Sequence, residues 1–172
     1  EFRFWHAGDD AFFAMFDAAN PREPVRIDAF PPASLRINEL MQRLRAAVLR
    51  APALKRKLFQ VEFLSTLSND ALVVLVYHRP LDAAWEEAAR ELAATLDAQL
   101  IGRSRGQRIV LGEAHVTERL QVEGRELVLR QPEGCFTQPN AEVNRAMLSW
   151  ARAAAGPTRG GLLELYCGIG NF

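Results

Sequence analysis

The sequence has no excess of charge of either sign, because 21 lysine and arginine residues balance 21 aspartate and glutamate residues over 172 positions. A nucleic-acid site in such a chain has to be a local patch, since the protein as a whole does not attract a polyanion. Long apolar runs are also missing: none approaches the roughly 18 residues that a membrane span requires. No signal peptide precedes the first strand pattern. We therefore expect a cytoplasmic protein without a membrane segment.

Cysteine is scarce, with only Cys135 and Cys167 in the chain. Two cysteines in separate loops make no metal-ligand pattern, so no metal site is predicted. A disulfide is not expected in a reducing compartment. The hydrophobic residues, 49% of the chain, suffice for one complete domain core and part of a second.

Strand and helix patterns alternate through residues 1–130 and predict an α+β domain of paired strands with covering helices. Strands are predicted at 2–6, 11–16, 59–66, 71–78, 99–102, 107–111, 116–122 and 125–130, and helices at 34–50 and 83–96 with caps at Ser34 and Asp82. The prolines of residues 20–24 predict a turn. Residues 131–134 predict a linker, and a helix over 140–155 is expected to bury Val143, Met147 and Trp150.

Basic residues concentrate on the first predicted helix and in Lys55–Lys57, immediately before Phe59. Such a cluster is ordinarily a solvated face, but a basic patch beside an aromatic residue is also how single-stranded RNA is bound. Arg3 lies among aromatic residues, where its guanidinium could stack, bind a phosphate or simply be solvated. Both interpretations also stay open for the basic loop at 103–106, which could contact an RNA backbone.

A glycine turn follows the last apolar run of the sequence. Leu162–Tyr166 is typical of a buried parallel strand, and Gly168 and Gly170 then predict a tight turn. Glycines without side chains let the backbone approach a ligand, and Glu164 and Asn171 could reach polar groups on it. The same spacing is equally typical of an ordinary junction between a strand and a turn.

Longer sequence motifs include this turn or lie near it. Through LELYCGIGNF at 163–172 and FTQPN at 136–140, the chain resembles the RNA uracil-5-methyltransferases that use S-adenosylmethionine. Within that family it is similar to the bacterial tRNA (uracil-5-)-methyltransferases, which methylate the T-loop uridine, through EFRFWH at 1–6, KLFQ at 57–60, LSTLSN at 64–69 and IGR at 101–103. The words occur in order over nearly the whole chain.

The resemblance implies a second domain from residue 131, which opens a Rossmann-like α/β methyltransferase fold with its first helix and strand. It implies S-adenosylmethionine as the cofactor and the tRNA T-arm as the partner. The residues that it assigns to the cofactor are Gln138, Tyr166 and Asn171, and those that it assigns to RNA are Arg3, Phe59 and Phe136. His78 receives no role.

In the resembled family a cysteine thiolate adds to C6 of the flipped uracil, C5 takes the methyl group, and a carboxylate then removes the C5 proton. Cys135 and Cys167 match neither that nucleophile nor its sequence context, so no catalytic residue is assigned. We expect a fragment trimmed at both ends, inactive by itself, of an enzyme that is monomeric at full length. A relative acting on ribosomal RNA and a non-catalytic RNA-binding module remain as alternatives.

Overall fold

The computed structural model describes residues 1–157, 160–161 and 163–171. Its strands are β1 (Phe2–Ala7), β2 (Asp10–Asp17), β3 (Asn20–Ile27), β4 (Leu58–Ser65), β5 (Ala71–Tyr77), β6 (Gln99–Ser104), β7 (Gln107–Leu111), β8 (His115–Val122) and β9 (Arg125–Pro132). Its helices are α1 (Leu35–Arg50), α2 (Pro52–Lys55), α3 (Ala83–Leu96) and α4 (Ala141–Ala155). Within the described part of the chain, no helix is both long and apolar enough to cross a membrane.

Seven strands form one mixed sheet in the order β3-β2-β1-β4-β5-β6-β7. β5 and β6 run parallel, and α3 connects them, while every other neighbouring pair in this sheet is antiparallel. β8 and β9 form a separate antiparallel hairpin. The fold is therefore α/β, with a mostly antiparallel sheet and helices.

The chain divides into two compact units, residues 1–65 with 71–114, and residues 66–70 with 115–172. The hairpin β8–β9 belongs to the second unit, together with the C-terminal segment. The division into an RNA-binding domain over 1–130 and a methyltransferase domain from 131 stays a prediction.

Helices α1 and α3 pack on the large sheet through apolar stripes. The buried residues are Leu40, Met41, Leu44 and Val48 of α1, and Trp85, Ala89, Leu92 and Leu96 of α3. Each helix begins at its predicted cap, since the side chain of Ser34 accepts from the amide of Ile37 and that of Asp82 accepts from the amide of Trp85. β6 makes room for the indole at Gly102, where an added Cβ would lie 2.1 Å from the Trp85 ring.

The turn predicted at residues 20–24 is wrong, because Asn20–Ile27 is a strand, β3. This strand lies at the edge of the seven-stranded sheet and pairs only with β2 there. An edge strand needs hydrogen-bond donors on one side alone, so Pro21 and Pro24 are tolerated although neither has an N–H.

The second unit packs α4 against the hairpin β8–β9. Its core contains Leu120, Val122 and Leu148, and the buried residues of α4 are Asn144 and Leu148. The predicted buried face is therefore wrong: Val143, Met147 and Trp150 are 52%, 37% and 73% exposed. The helix turns the Asn144 and Leu148 side toward the hairpin, and the other apolar side points away from it.

The strand predicted at Leu162–Tyr166 is not present in the described part of that run, residues 163–166, and Leu162 lies outside the described residues. Leu163 and Leu165 are exposed, and Tyr166 has a left-handed backbone with φ of 59°. A strand is held by ladder hydrogen bonds to a neighbour, and no described strand pairs with this segment.

Candidate functional site

Side chains from three neighbouring strand positions stack on one face of the first unit. The guanidinium carbon of Arg3, on β1, lies 3.4 Å from the ring centroid of Phe59, on β4. The ring centroid of His78, directly after β5, lies 3.8 Å from that of Phe59, with 28° between the ring planes. Two groups this close cannot share one ring face, so Arg3 and His78 cover opposite sides of Phe59.

A β-bulge places Phe59 in this stack. The pairing of β4 with β5 shifts register between Leu58 and Gln60, which leaves Phe59 as the extra residue. Lys57, just before β4, has a left-handed backbone with φ of 59°. The ring nitrogen Nε2 of His6 lies 2.7 Å from the carbonyl oxygen of Leu58 and fixes the main chain beside the bulge. Bulges of this kind re-aim a side chain, here the Phe59 ring.

The end of β5 holds the segment that leads into the bulge. The buried hydroxyl of Tyr77 donates to the carbonyl of Leu54 at 2.9 Å, and the amide of His78 donates to the carbonyl of Lys57 at 3.0 Å. Burial raises the pKa of Tyr77 well above its ordinary value, so the hydroxyl keeps its proton. The buried guanidinium of Arg79 donates to two further carbonyls of residues 53–56. The stack therefore rests on a fixed support.

A groove of about 730 Å³ adjoins the stack and shares His78 with it. It lies where the parallel strands β5 and β6 end, which is the edge of a sheet where α/β proteins bind ligands. Val76 and Pro80 give it apolar surface, Gln60 and Glu62 contribute polar groups, and Arg105 stands on its rim.

One row of directly paired residues crosses the sheet beside the stack and the groove. Arg3 pairs with Gln60, Gln60 with Val76, Val76 with Arg103, and Arg103 with Arg108. Residues directly opposite each other on neighbouring strands point to the same face. The face therefore combines an aromatic stack, an amide and three arginines within five strands.

The glycine turn brings the other predicted site residues together in the second unit. Phe136, Gln138, Tyr166 and Asn171 all line one small cavity of about 60 Å³. The turn itself closes through a 2.8 Å hydrogen bond from the amide of Gly170 to the carbonyl of Cys167, and Gly170 has a left-handed backbone with φ of 77°. A residue with a Cβ would be strained in that conformation.

A reciprocal amide pair ties this turn to α4. The side chain of Asn144 donates to that of Asn171 at 2.8 Å, and Asn171 donates back at 2.7 Å. Asn144 is 3% exposed, although it is polar and lies on a helix. Each amide has two N–H donors and an oxygen with two lone pairs, so Asn171 retains a donor and an acceptor for a ligand.

Comparison with known proteins decides the family. The family profile described as tRNA (Uracil-5-)-methyltransferase matches residues 1–172. The chain belongs to this family. Proteins named tRNA/tmRNA (uracil-C(5))-methyltransferase from Chromohalobacter salexigens, Dechloromonas aromatica and Ectopseudomonas mendocina are 58%, 55% and 56% identical to it over 177, 172 and 172 residues. Each alignment covers 100% of this chain and 48% of the relative, so the chain spans about half the length of these relatives.

Three arginines of α1 make contacts within the first unit, and the RNA-binding patch considered for this helix stays a prediction. Arg36 donates to the carbonyls of Leu96 and Asp97 at 3.0 and 2.6 Å, and Arg43 donates to another carbonyl of the same helix end. Helix α3 ends there, and its last carbonyls attract cations because they lack partners within the helix. Arg45 instead binds the carboxylate of Asp10 at 2.7 Å. These three arginines hold the unit together.

Two residues of the site escape sequence reasoning, His78 and Asn144. His78 follows an apolar strand directly, and only the register of β4 and β5 shows that it meets the ring of Phe59. Asn144 is the one buried polar residue of α4, and a polar residue inside an apolar helix face is the signal that could have found it.

Neither cysteine is assigned a catalytic role. Cys135 and Cys167 are both exposed and carry free thiols. Among the residues that the structure describes, no group of three or more His, Cys, Asp or Glu side chains could hold a metal ion.

Proposed function

We propose that the protein containing this chain transfers a methyl group from S-adenosylmethionine to C5 of a uridine in the T-arm of tRNA, and that residues 1–114 contribute RNA-binding surface. The observation that carries this proposal is the stack of Arg3, Phe59 and His78 on one face of the seven-stranded sheet. Planar side chains on a sheet are how many proteins hold unpaired bases. The names of the relatives, which are tRNA/tmRNA (uracil-C(5))-methyltransferases, support the choice of RNA.

The stack has the chemistry for a base and its phosphate. A guanidinium above an aromatic ring offers both a flat surface and donors for a phosphate oxygen. A base can extend the series on the outer side of His78 or Arg3, or can replace one of them on the ring of Phe59. Phe136, exposed in the second unit, is proposed as a further stacking surface.

The glycine turn has the chemistry for part of S-adenosylmethionine, which supplies an activated methyl group when bound. Gln138 and Asn171 offer amide donors and acceptors, Tyr166 an exposed ring, and Glu164 a carboxylate that could accept from hydroxyls. The cavity of about 60 Å³ is much smaller than the roughly 300 Å³ at which ligand pockets begin. We therefore propose that these residues form one wall of the cofactor site.

The chemical step needs a nucleophilic thiolate and a general base. C5 of uracil becomes nucleophilic only after a thiolate adds to C6, and a base must then take the C5 proton. Cys135 and Cys167 are exposed thiols in the second unit, and Cys167 belongs to the glycine turn. The residues of this chain are proposed to bind and orient the RNA and one side of the methyl donor.

The proposal is tested by binding of a fluorescent T-arm hairpin RNA to the chain and to Phe59→Ala. Stacking on an aromatic side chain contributes about 1–3 kcal/mol per base, so the variant should bind about tenfold more weakly or worse. Phe12→Ala is the matched control, because Arg26 also lies over that ring, at 5.5 Å, on another part of the sheet. Equal affinity of both variants and the unaltered chain would contradict the proposal.

A further inference from the structure

We propose that the groove beside the stack is a second nucleotide subsite, in which Glu62 accepts from the exocyclic amino group of an RNA base and Arg105 faces the phosphate. This inference rests on the proposed RNA-binding function and deepens it. The site is distinct from the Phe59 stack, although His78 borders both. It would make the protein favour a base with an exocyclic amino group over uracil, whereas stacking accepts any base.

The size and surface of the groove fit one nucleotide. Its volume of about 730 Å³ lies within the range of about 300–1,000 Å³ typical of small-molecule sites. Val76 and Pro80 offer apolar surface for the flat face of a base, and polar groups surround them. A site of this composition holds the base by contact and selects it by a few hydrogen bonds.

Glu62 is the feature that a generic phosphate-binding groove would lack. Its carboxylate lies in a groove that arginines also line. The negative charge of this carboxylate would repel an RNA phosphate. The amide of Gln60 donates to one oxygen of Glu62 at 2.9 Å and also to Glu1 at 3.2 Å, which holds the carboxylate in place. A carboxylate accepts at both oxygens, so Glu62 keeps capacity for an amino group of cytosine, adenine or guanine.

Arg105 stands at the tip of a turn that is fixed to the groove wall. The side-chain oxygen of Gln107 accepts from the hydroxyl of Ser104 at 2.9 Å and from the amide of Leu81 at 2.8 Å. Gly106 supplies the left-handed position of the turn, with φ of 73°. The side chain of Arg105 is exposed, and the turn beneath it is held at both ends, which suits a phosphate contact.

Replacing Glu62 by Gln tests the subsite, because base recognition and phosphate binding predict opposite changes in affinity. We expect Glu62→Gln to weaken binding of the T-arm hairpin by about fivefold to tenfold, because a charge-assisted acceptor is lost. If the groove bound phosphate alone, removing a negative charge would instead tighten binding. Glu87→Gln, on the exposed side of α3, makes the same charge change away from the groove and should not weaken binding. Tighter or unaltered binding by Glu62→Gln would overturn the inference.

Measuring Phe59→Ala in the same assay as Glu62→Gln separates the proposed subsite from the proposed RNA-binding function. A loss with Phe59→Ala and none with Glu62→Gln would overturn the subsite and leave the RNA-binding function standing. No loss with either variant would overturn both.

The phosphate contact has its own measurement in the dependence of affinity on salt. Arg105→Ala should reduce the slope of log K against log salt by about 0.7, the value for one phosphate of a single strand. Arg22→Ala removes the same charge from the exposed edge strand β3 and should leave the slope unaltered. Equal slopes for the two variants would overturn the assignment of Arg105.

Discussion

Phe59 has no open ring face, because Arg3 lies over one side and His78 over the other. A base that uses this ring must displace one of the two, whereas a base on the outer side of His78 would lengthen an existing series. Both routes keep a planar group on each side of Phe59. The ring then acts as the fixed centre of the stack, and the bulge at Phe59 gives it that position.

Glu118, in the second unit, couples protonation to folding. Its buried carboxylate accepts from the amides of Leu67 and Arg119, at 3.1 and 3.0 Å. Burial is the largest influence and raises its pKa above the ordinary 4.5, although these amides oppose the rise. The folded protein therefore binds this proton more tightly than the unfolded chain does.

The sign of the pH dependence follows from that difference. The contribution of Glu118 to the free energy of unfolding is full below pH 4.5 and is lost as the pH rises through the raised pKa. Glu118→Gln cannot lose a proton, so its stability should lack this decline. Urea unfolding between about pH 4 and pH 8 measures the difference. Parallel stability curves for the two proteins would show that the burial of Glu118 has no such effect.

Helix α4 has two apolar sides, of which one is buried and the other is exposed to solvent. Leu148 is buried against the hairpin β8–β9, whereas Trp150 is 73% exposed. Leu148→Ala should lower the free energy of unfolding of this unit by about 2–4 kcal/mol, because it leaves a cavity. Trp150→Ser should change it by less than about 1 kcal/mol despite the larger side chain. Chemical denaturation measures both, and an equal or larger loss with Trp150→Ser would contradict the packing described for α4.

The starts of the helices can be predicted from local sequence, whereas the edge strand β3 cannot. Ser34, Asp82 and Asn140 are local cap signals, and all three accept the expected amide at a helix start. Asn20–Ile27 is missed as a strand because the tolerance of proline depends on a place at the sheet edge, which is a property of the whole sheet.

Some residues of the candidate site could likewise be predicted from the sequence, and others could not. The residues that the resemblance assigned to one ligand lie around one cavity near the glycine turn, and Arg3 and Phe59 meet on the sheet. The contacts of His78 and Asn144 depend on strand register and on helix orientation, which no short sequence word encodes. For the same reason, the pairing of α1 arginines with the end of α3 could not be predicted from their clustering alone.

At the scale of the whole molecule, charge balance and RNA binding are compatible. The net charge is zero, yet Arg3, Arg103 and Arg108 lie in one cross-strand row beside the stack. Local arrangement therefore supplies what the overall charge does not. Since the chain spans 48% of its relatives, a complete account of methyl transfer concerns a longer protein.

Two RNA hairpins that share a stem test whether this sheet face recognises a T-loop. One has the T-arm loop, and the other has the same loop nucleotides in scrambled order. We expect the unaltered chain to prefer the T-arm loop by about tenfold or more, and Phe59→Ala to bind the T-arm loop about tenfold more weakly than the unaltered chain does. Equal affinity of the unaltered chain for both hairpins, with binding governed by salt alone, would contradict the claim.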